Sequence, residues 1–307
     1  MTGDQGGAAA AAAPTLDSAA AFRRYEDIRA RLPEAAFPPE AETAANLAAV
    51  AERFAGFVFD AFGVLNVGDT PIPGAAERVR DLRAAGKSVA VLTNAASYTK
   101  REAEAKYRRL GFDFEAAEIV SSRDVAAQHL AGIAAGAVWA GSAALGDDFS
   151  DIPADVGDVL ENEALWQRAD GFLFLSTARW TPALQARLSA AVMARPRPVV
   201  IANPDLVAPR EGGLSIEPGF WGHALEDETG QRPHFFGKPY GAAFAALPPA
   251  PGPRAMVGDT LHTDILGGRA AGLSAILVAD HGLFQGQDLS QPIRQSGIVP
   301  DIIVRTT

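Results

Sequence analysis

The chain has 307 residues, 48% apolar and 21% charged, the balance of a globular protein able to bury a sizeable core in one large domain or two small ones. Lys and Arg number 27 against 37 Asp and Glu, and the net charge of −10 argues against nonspecific binding to nucleic acid or an anionic membrane. Cysteine is absent and the five histidines are scattered, which removes disulfides, thiolate zinc sites and thiol nucleophiles and leaves a hard, oxygen-bound cation as the metal to expect.

Residues 1–16 are rich in Gly and Ala, bury too little to offset their ordering entropy, and are expected to form a disordered tail without the basic start of a secretory leader. No segment approaches the roughly 20 apolar residues of a membrane span. A cytoplasmic enzyme or binding protein is therefore the default expectation. Phe22, Tyr25, Ile28 and Leu32 recur at helical spacing, and Pro33 ends that helix. A Pro- and Ala-rich linker and a second short helix lead to "GFVFD", the first expected strand. An alternation follows: the helix "PGAAERVRDLRAAG", the strand "SVAVLTN", the helix "TKREAEAKYRRLG" with a capping box of Thr99 and Glu102, the strand "EIVSS" and the helix "RDVAAQHLAG". Later strands are "AVWAG", "GFLFLS", "PVVIAN", "HFFG", "AMVGD", "AILVAD" and "DIIV". Short apolar strands separated by helices indicate an α/β fold, a doubly wound parallel sheet covered on both faces. So many strands exceed one compact sheet at this length. The section 134–232 also differs in texture, with all four tryptophans, Trp139, Trp166, Trp180 and Trp221, and several acidic loops. The expected division is a core of 17–133 and 233–307 with an α/β cap inserted at 134–232. The tryptophans are expected to pack the core or cap, and "KREAEAKYRR" to be an exposed helix face carrying acid–base pairs.

Four strand ends carry chemistry. Asp60 ends the first strand, Thr93 and Asn94 the second, Lys238 follows "HFFG", and Asp259 ends "MVGD". Carboxyl ends of neighbouring parallel strands meet at one crevice, where ligands bind. If these four meet there, Asp60 and Asp259 supply oxygen ligands suited to Mg²⁺, Lys238 and Thr93 hold phosphate oxygens, and Asp60 can attack phosphorus. Asp264, five residues beyond Asp259, is expected to orient Lys238 or a metal-bound water. Arg210, in "LVAPREGG", is either a substrate contact or a solvated loop cation. No G-x-G-x-x-G follows the first strand, which excludes a dinucleotide-binding oxidoreductase of the usual kind.

The ordered set "DAFGV", "LTN", "GKP" and "GDTLHTD" resembles the haloacid dehalogenase superfamily over about residues 54–285. Within it the chain resembles the branch with an α/β cap between the second and third motifs, which includes N-acetylglucosamine-phosphate, nucleotide and pyridoxal-phosphate phosphatases. The resemblance implies a Rossmann-like core, a Mg²⁺ requirement and an aspartyl-phosphate intermediate. It places the nucleophile at Asp60, phosphate binding at Thr93, Asn94 and Lys238, and the metal at Asp60, Asp259, Asp264 and the backbone carbonyl of Phe62. It also implies a small phosphorylated metabolite as substrate and pairing of two copies through the cap. One departure stands out. Phe62 occupies the place where phosphatases of this superfamily carry an Asp that protonates the leaving alkoxide, and a positioned acid contributes about 10²–10⁴-fold. Asp69, His262 and Asp205 are the acids that might stand in. The reading is a Mg²⁺-dependent phosphomonoester hydrolase. Its alternative is a phosphometabolite-binding or regulatory protein that kept the site and lost turnover.

Overall fold

The apolar runs bounded by acids and glycines form parallel strands, as their pattern demands. The computed structural model describes residues 16–210 and 213–307, so the tail expected over 1–16 lies, but for Leu16, outside the described residues. Seven strands make the first sheet in the order Glu42–Ala44, Ile302–Val304, Ser274–Val278, Arg254–Gly258, Gly56–Phe59, Ser88–Thr93 and Ile119–Ser121, all parallel. Gly56–Phe59 is central and buried on both faces, and the chain winds away from it in both directions. That is the switch point at which an open parallel sheet forms its crevice.

Five further parallel strands form a second sheet in the order His234–Phe235, Val199–Ile201, Gly171–Phe174, Val138–Ser142 and Asp155–Asp158. Helices Pro182–Ala194 and Pro218–Thr229 cover it, and Trp139, Trp166, Trp180 and Trp221 are all buried, as packing residues. An antiparallel pair, Val207–Arg210 with Gly213–Ile216, projects from this half toward the ends of the first sheet's strands. The chain's organisation into two sheets explains why twelve parallel strands, seven and five, fit into one molecule of this length.

Two features tie the halves together, and neither is evident in the sequence pattern. Arg123, on helix Ser122–Ile133, is fully buried and meets both Asp147 and Asp151, with Nε donating to Asp151 Oδ2 at 2.8 Å and Nη2 to Asp147 Oδ1 at 3.0 Å. The N-terminal helix Ser18–Asp27, capped by Asp17, spans both halves. Its Tyr25 hydroxyl accepts the Leu206 N–H at 3.1 Å, and Arg24 and Arg31 both pair with Asp227. Its other face packs on Leu261, Ile265 and Phe284 of the first half.

Removing Arg123 strands two carboxylates in a part-buried site, the situation in which breaking a buried ion pair costs about 3–5 kcal/mol. Arg123→Met is expected to lower unfolding free energy by about that amount, read from urea denaturation followed by circular dichroism. An unchanged midpoint would show that the pair is not a structural joint.

Candidate active site

The register of the central strands sets the site. Val257 pairs with Phe59 and the Asp60 N–H donates to Val257 O at 2.8 Å, so Asp60 and Asp259 emerge side by side where their strands end. Thr93 ends the strand on the other side of Gly56–Phe59. Ligand oxygens of Asp60, Asp259 and Asp264 lie within 4.8 Å of one another. The Lys238 ammonium, buried to 1% exposure, donates to Asp60 Oδ1 and meets Asp264 Oδ1 at 2.7 Å. The second contact is an ion pair, so the one ammonium serves two carboxyl groups.

Backbone geometry holds each acid. Asp264 Oδ2 accepts the Asp259 and Thr260 N–H groups at 3.1 and 3.0 Å from a single turn of π-helix, Leu261–Ile265. Asp259 Oδ2 accepts the Leu283 N–H at 2.8 Å. Gly63, at φ +80°, allows the chain to pass Asp259; a Cβ there would meet the carboxyl at 2.7 Å. Asn94 reads both polar groups of the Lys238 backbone, accepting its N–H at 2.7 Å and donating to its carbonyl at 3.0 Å. Gly237, at φ +129°, makes room for that approach. The Asn94 amide is thus engaged with Lys238, and with Asp205 at 2.8 Å, rather than pointing freely at a phosphate.

Electrostatically the site is crowded. Burial pushes the Asp60 carboxyl up to about 6, and Asp264 adds to this against the pull of Lys238. Burial with Asp264 and Asp60 nearby likewise raises Asp259 well above the usual range. Burial acts to lower Lys238, but Asp264, Asp60 and Asp205 outweigh it and hold the amine charged. Three carboxyls face one ammonium, and ionising all three would leave a surplus of two negative charges (−3 + 1 = −2). A hard divalent cation would balance that surplus, and three clustered carboxyl groups are the oxygen donors it prefers.

The cavity above these groups is small, about 20 Å³ of free space, with an adjoining one of about 40 Å³. Asp60, Thr93, Lys238 and Asp259 line its floor, and Asp205, Val207, Ala208 and Pro209 its roof. Phe62 lines both spaces. Lys106 Nζ lies 4.5 Å and the Arg210 guanidinium 4.9 Å from the Phe62 ring centroid. Arg210 also donates to Glu217 Oε1 at 3.0 Å; its side chain is partly exposed and lines the adjoining space rather than the cavity over Asp60. Lys106 corrects the expectation of a wholly exposed helix face. It is buried with Ala103 and Tyr107, and burial brings its amine down to about 8. The spacing of 103, 106, 107 and 110 is the apolar stripe that signals this.

Of the acids that might replace a proton donor, Asp69 is 81% exposed, paired with Lys106 at 3.9 Å, and does not line the cavity. His262 is fully buried behind the metal loop, stacked on Tyr25 at 4.8 Å and paired with Glu26. Only Asp205 of the three reaches the cavity wall.

Comparison with known proteins agrees with this layout. A family model described as haloacid dehalogenase-like hydrolase matches residues 57–148, and a related hydrolase-like model matches 235–304. The chain is 31% identical to the glycerol-3-phosphate phosphatase of Homo sapiens, over 80% of this chain and 87% of that one. It is 30% identical to the D-glycerol 3-phosphate phosphatase of Mycobacterium tuberculosis over 75% of this chain, spanning 64% of that protein's length. A possible sugar phosphatase from Cytophaga hutchinsonii shares the fold with a TM-score of 0.74 at 23% identity, over 87% of this chain and 98% of that one. A structure of the mycobacterial glycerol phosphate phosphatase in complex with magnesium aligns with a TM-score of 0.61 at 28% identity, over 76% of this chain and 70% of that one. No helix among the described residues is long and apolar enough to cross a membrane.

A methyl group on Gly282 would collide with the Asp259 carboxyl. Gly282→Ala is expected to weaken Mg²⁺ binding about 10–100-fold, the usual effect of disturbing a ligand's support, in calorimetric titration. Unchanged affinity would place the cation elsewhere.

Proposed function

The chain belongs to the haloacid dehalogenase-like hydrolases, with phosphatases as its relatives, and from that premise we propose a Mg²⁺-dependent phosphomonoester hydrolase acting through an aspartyl-phosphate at Asp60. Its proposed substrate is the phosphate ester of a small polyol, glycerol 3-phosphate being the one to try first. The observation that carries this reading is the convergence of Asp60, Asp259, Asp264 and Lys238 beneath one closed cavity beside Thr93.

In this reading an Asp60 oxygen attacks phosphorus while Lys238 and the Thr93 hydroxyl hold the non-bridging oxygens. Asp60, Asp259, Asp264 and the Phe62 carbonyl would hold the cation, which when bound neutralises charge on the transferred group. Asn94 fixes Lys238 rather than the phosphate. The free space of about 20 Å³ admits a water or two but no ester, so a substrate enters only when the roof at Val207–Arg210 lifts. The exposed apolar side chains Leu145 and Met193, both in the 134–232 section, support pairing of two copies through it.

Phe62 favours a second reading, a protein that binds the phosphometabolite without turning it over. The two part in one experiment. Phosphate release from glycerol 3-phosphate is expected with Mg²⁺, stops with a chelator, and falls at least about 10³-fold in Asp60→Asn. Mg²⁺-dependent binding with no release from any ester of a broad panel would leave only the second reading.

A further inference from the structure

Phe62 leaves the leaving group without its customary acid, and the cavity itself offers another. We propose that Asp205 is the proton donor of the reaction, delivering a proton from the roof of the site to the departing alkoxide. This inference rests on the phosphatase reading above and deepens it.

Direction supports it first. In phosphoryl transfer the attacking and leaving oxygens lie roughly in line through phosphorus. Asp60 enters the cavity from the strand ends of the first sheet, and Asp205 is the carboxyl residue that lines the same cavity, among the described residues, from the segment leading into Val207–Arg210. It also borders the adjoining space past Phe62, where the rest of the alcohol would extend.

The state of its carboxyl supports it next. Asp205 Oδ1 accepts the Asn94 Nδ2 hydrogen at 2.8 Å, and no hydrogen bond among the described residues reaches the other oxygen. Among the described residues no arginine or lysine forms a salt bridge with it, in contrast to Glu217, which Arg210 holds, and Asp60 and Asp264, which Lys238 holds. Burial pushes Asp205 up to about 8, with Asp60 and Asp264 adding to this against Lys238 and the Asn94 bond. The charged or titratable groups facing it are Lys238, Asp60 and Asp264 from the floor and Tyr25 from the N-terminal helix. Burial thus favours the protonated carboxyl, the form a donor needs. Its backbone is equally fixed, the N–H donating to Asn203 Oδ1 at 3.0 Å and the carbonyl accepting the Gly219 N–H at 3.1 Å.

Position 62 is closed to the role even for an acid. A carboxyl placed between Lys106 and Arg210 would be held ionised, because opposite charges favour the charged form.

The step balances. Asp60 Oδ forms a bond to phosphorus, the bond from phosphorus to the alkoxy oxygen breaks, and that oxygen takes the Asp205 proton to leave as an alcohol. The Asp205 carboxylate then accepts a proton from water, whose oxygen bonds to phosphorus as the Asp60–phosphorus bond breaks. Inorganic phosphate departs and Asp205 is protonated again.

The test separates a proton donor from a structural residue by the leaving group. p-Nitrophenolate departs without protonation, whereas the glycerol alkoxide does not. In Asp205→Asn, which retains an oxygen for Asn94, the single-turnover rate with glycerol 3-phosphate is expected to fall about 10²–10³-fold. The burst of p-nitrophenolate from p-nitrophenyl phosphate is expected to stay within about threefold, since the lost proton is not needed there. Equal losses on both esters, or no loss on glycerol 3-phosphate, overturn the proposal while leaving the phosphatase reading intact. Should the variant fold poorly, the wild type decides alone: rates nearly independent of leaving-group basicity across a series of alkyl and aryl phosphates support the donor, and a steep dependence overturns it. No release from any ester by the wild type overturns the phosphatase reading and this inference together.

Discussion

Lys238 is an ammonium group sealed at the meeting of two sheets, and an isolated buried charge costs several kcal/mol. Its placement is tolerable because Asp60 and Asp264 flank it, and their own burial is tolerable because it is there. The arrangement still leaves negative charge in surplus, with Asp259 beside the pair. That imbalance is fixed by backbone N–H donors and by glycines that no side chain can replace, and it is what the proposed divalent cation would offset. The fold's contribution is to end three neighbouring strands at one level and bring a fourth segment, carrying Lys238, across from the second half of the chain.

Much of this was legible in the sequence, because the relevant signals are local. A short apolar run with an acid or hydroxyl at its end is a buried strand whose tip faces a crevice, and four such tips in a known order named the site before its geometry was described. The capping box at Thr99 and Glu102 and the burial of the tryptophans were local signals too. What escaped was long-range. Nothing near Arg123 announces carboxylates 24 and 28 residues away, and no alternation marks Glu42–Ala44 as an edge strand, since it is held by Ile302–Val304 from the far end of the chain. Lys106 was misjudged because its charge was weighed above its place on the apolar stripe. His262 was considered as an acid, but burial lowers its pKa and its ring serves as a packing surface for Tyr25 and Phe22.

A phenylalanine at position 62 makes sense as packing. Its ring fills the space between a buried lysine of the core and an arginine of the roof, and the faces of an aromatic ring attract cations. One residue thus lines the substrate space and links floor to roof.

The N-terminal helix grips the cap helix Pro218–Thr229 through Arg24 and Arg31 on Asp227, while its Tyr25 holds Leu206, the residue before the antiparallel pair begins. A swing of the second half as a rigid body would have to break all of these contacts and pull the helix off the core. Lifting the strands Val207–Arg210 and Gly213–Ile216 would break the contact of Arg210 with Phe62, the Thr177 hydroxyl's bond to Ile216 O and the packing of Val207, Leu214 and Ile216. Opening by either route therefore disrupts packing, while Asp205, its N–H on Asn203 Oδ1 and its carbonyl on the Gly219 N–H, is anchored independently of the strand pair.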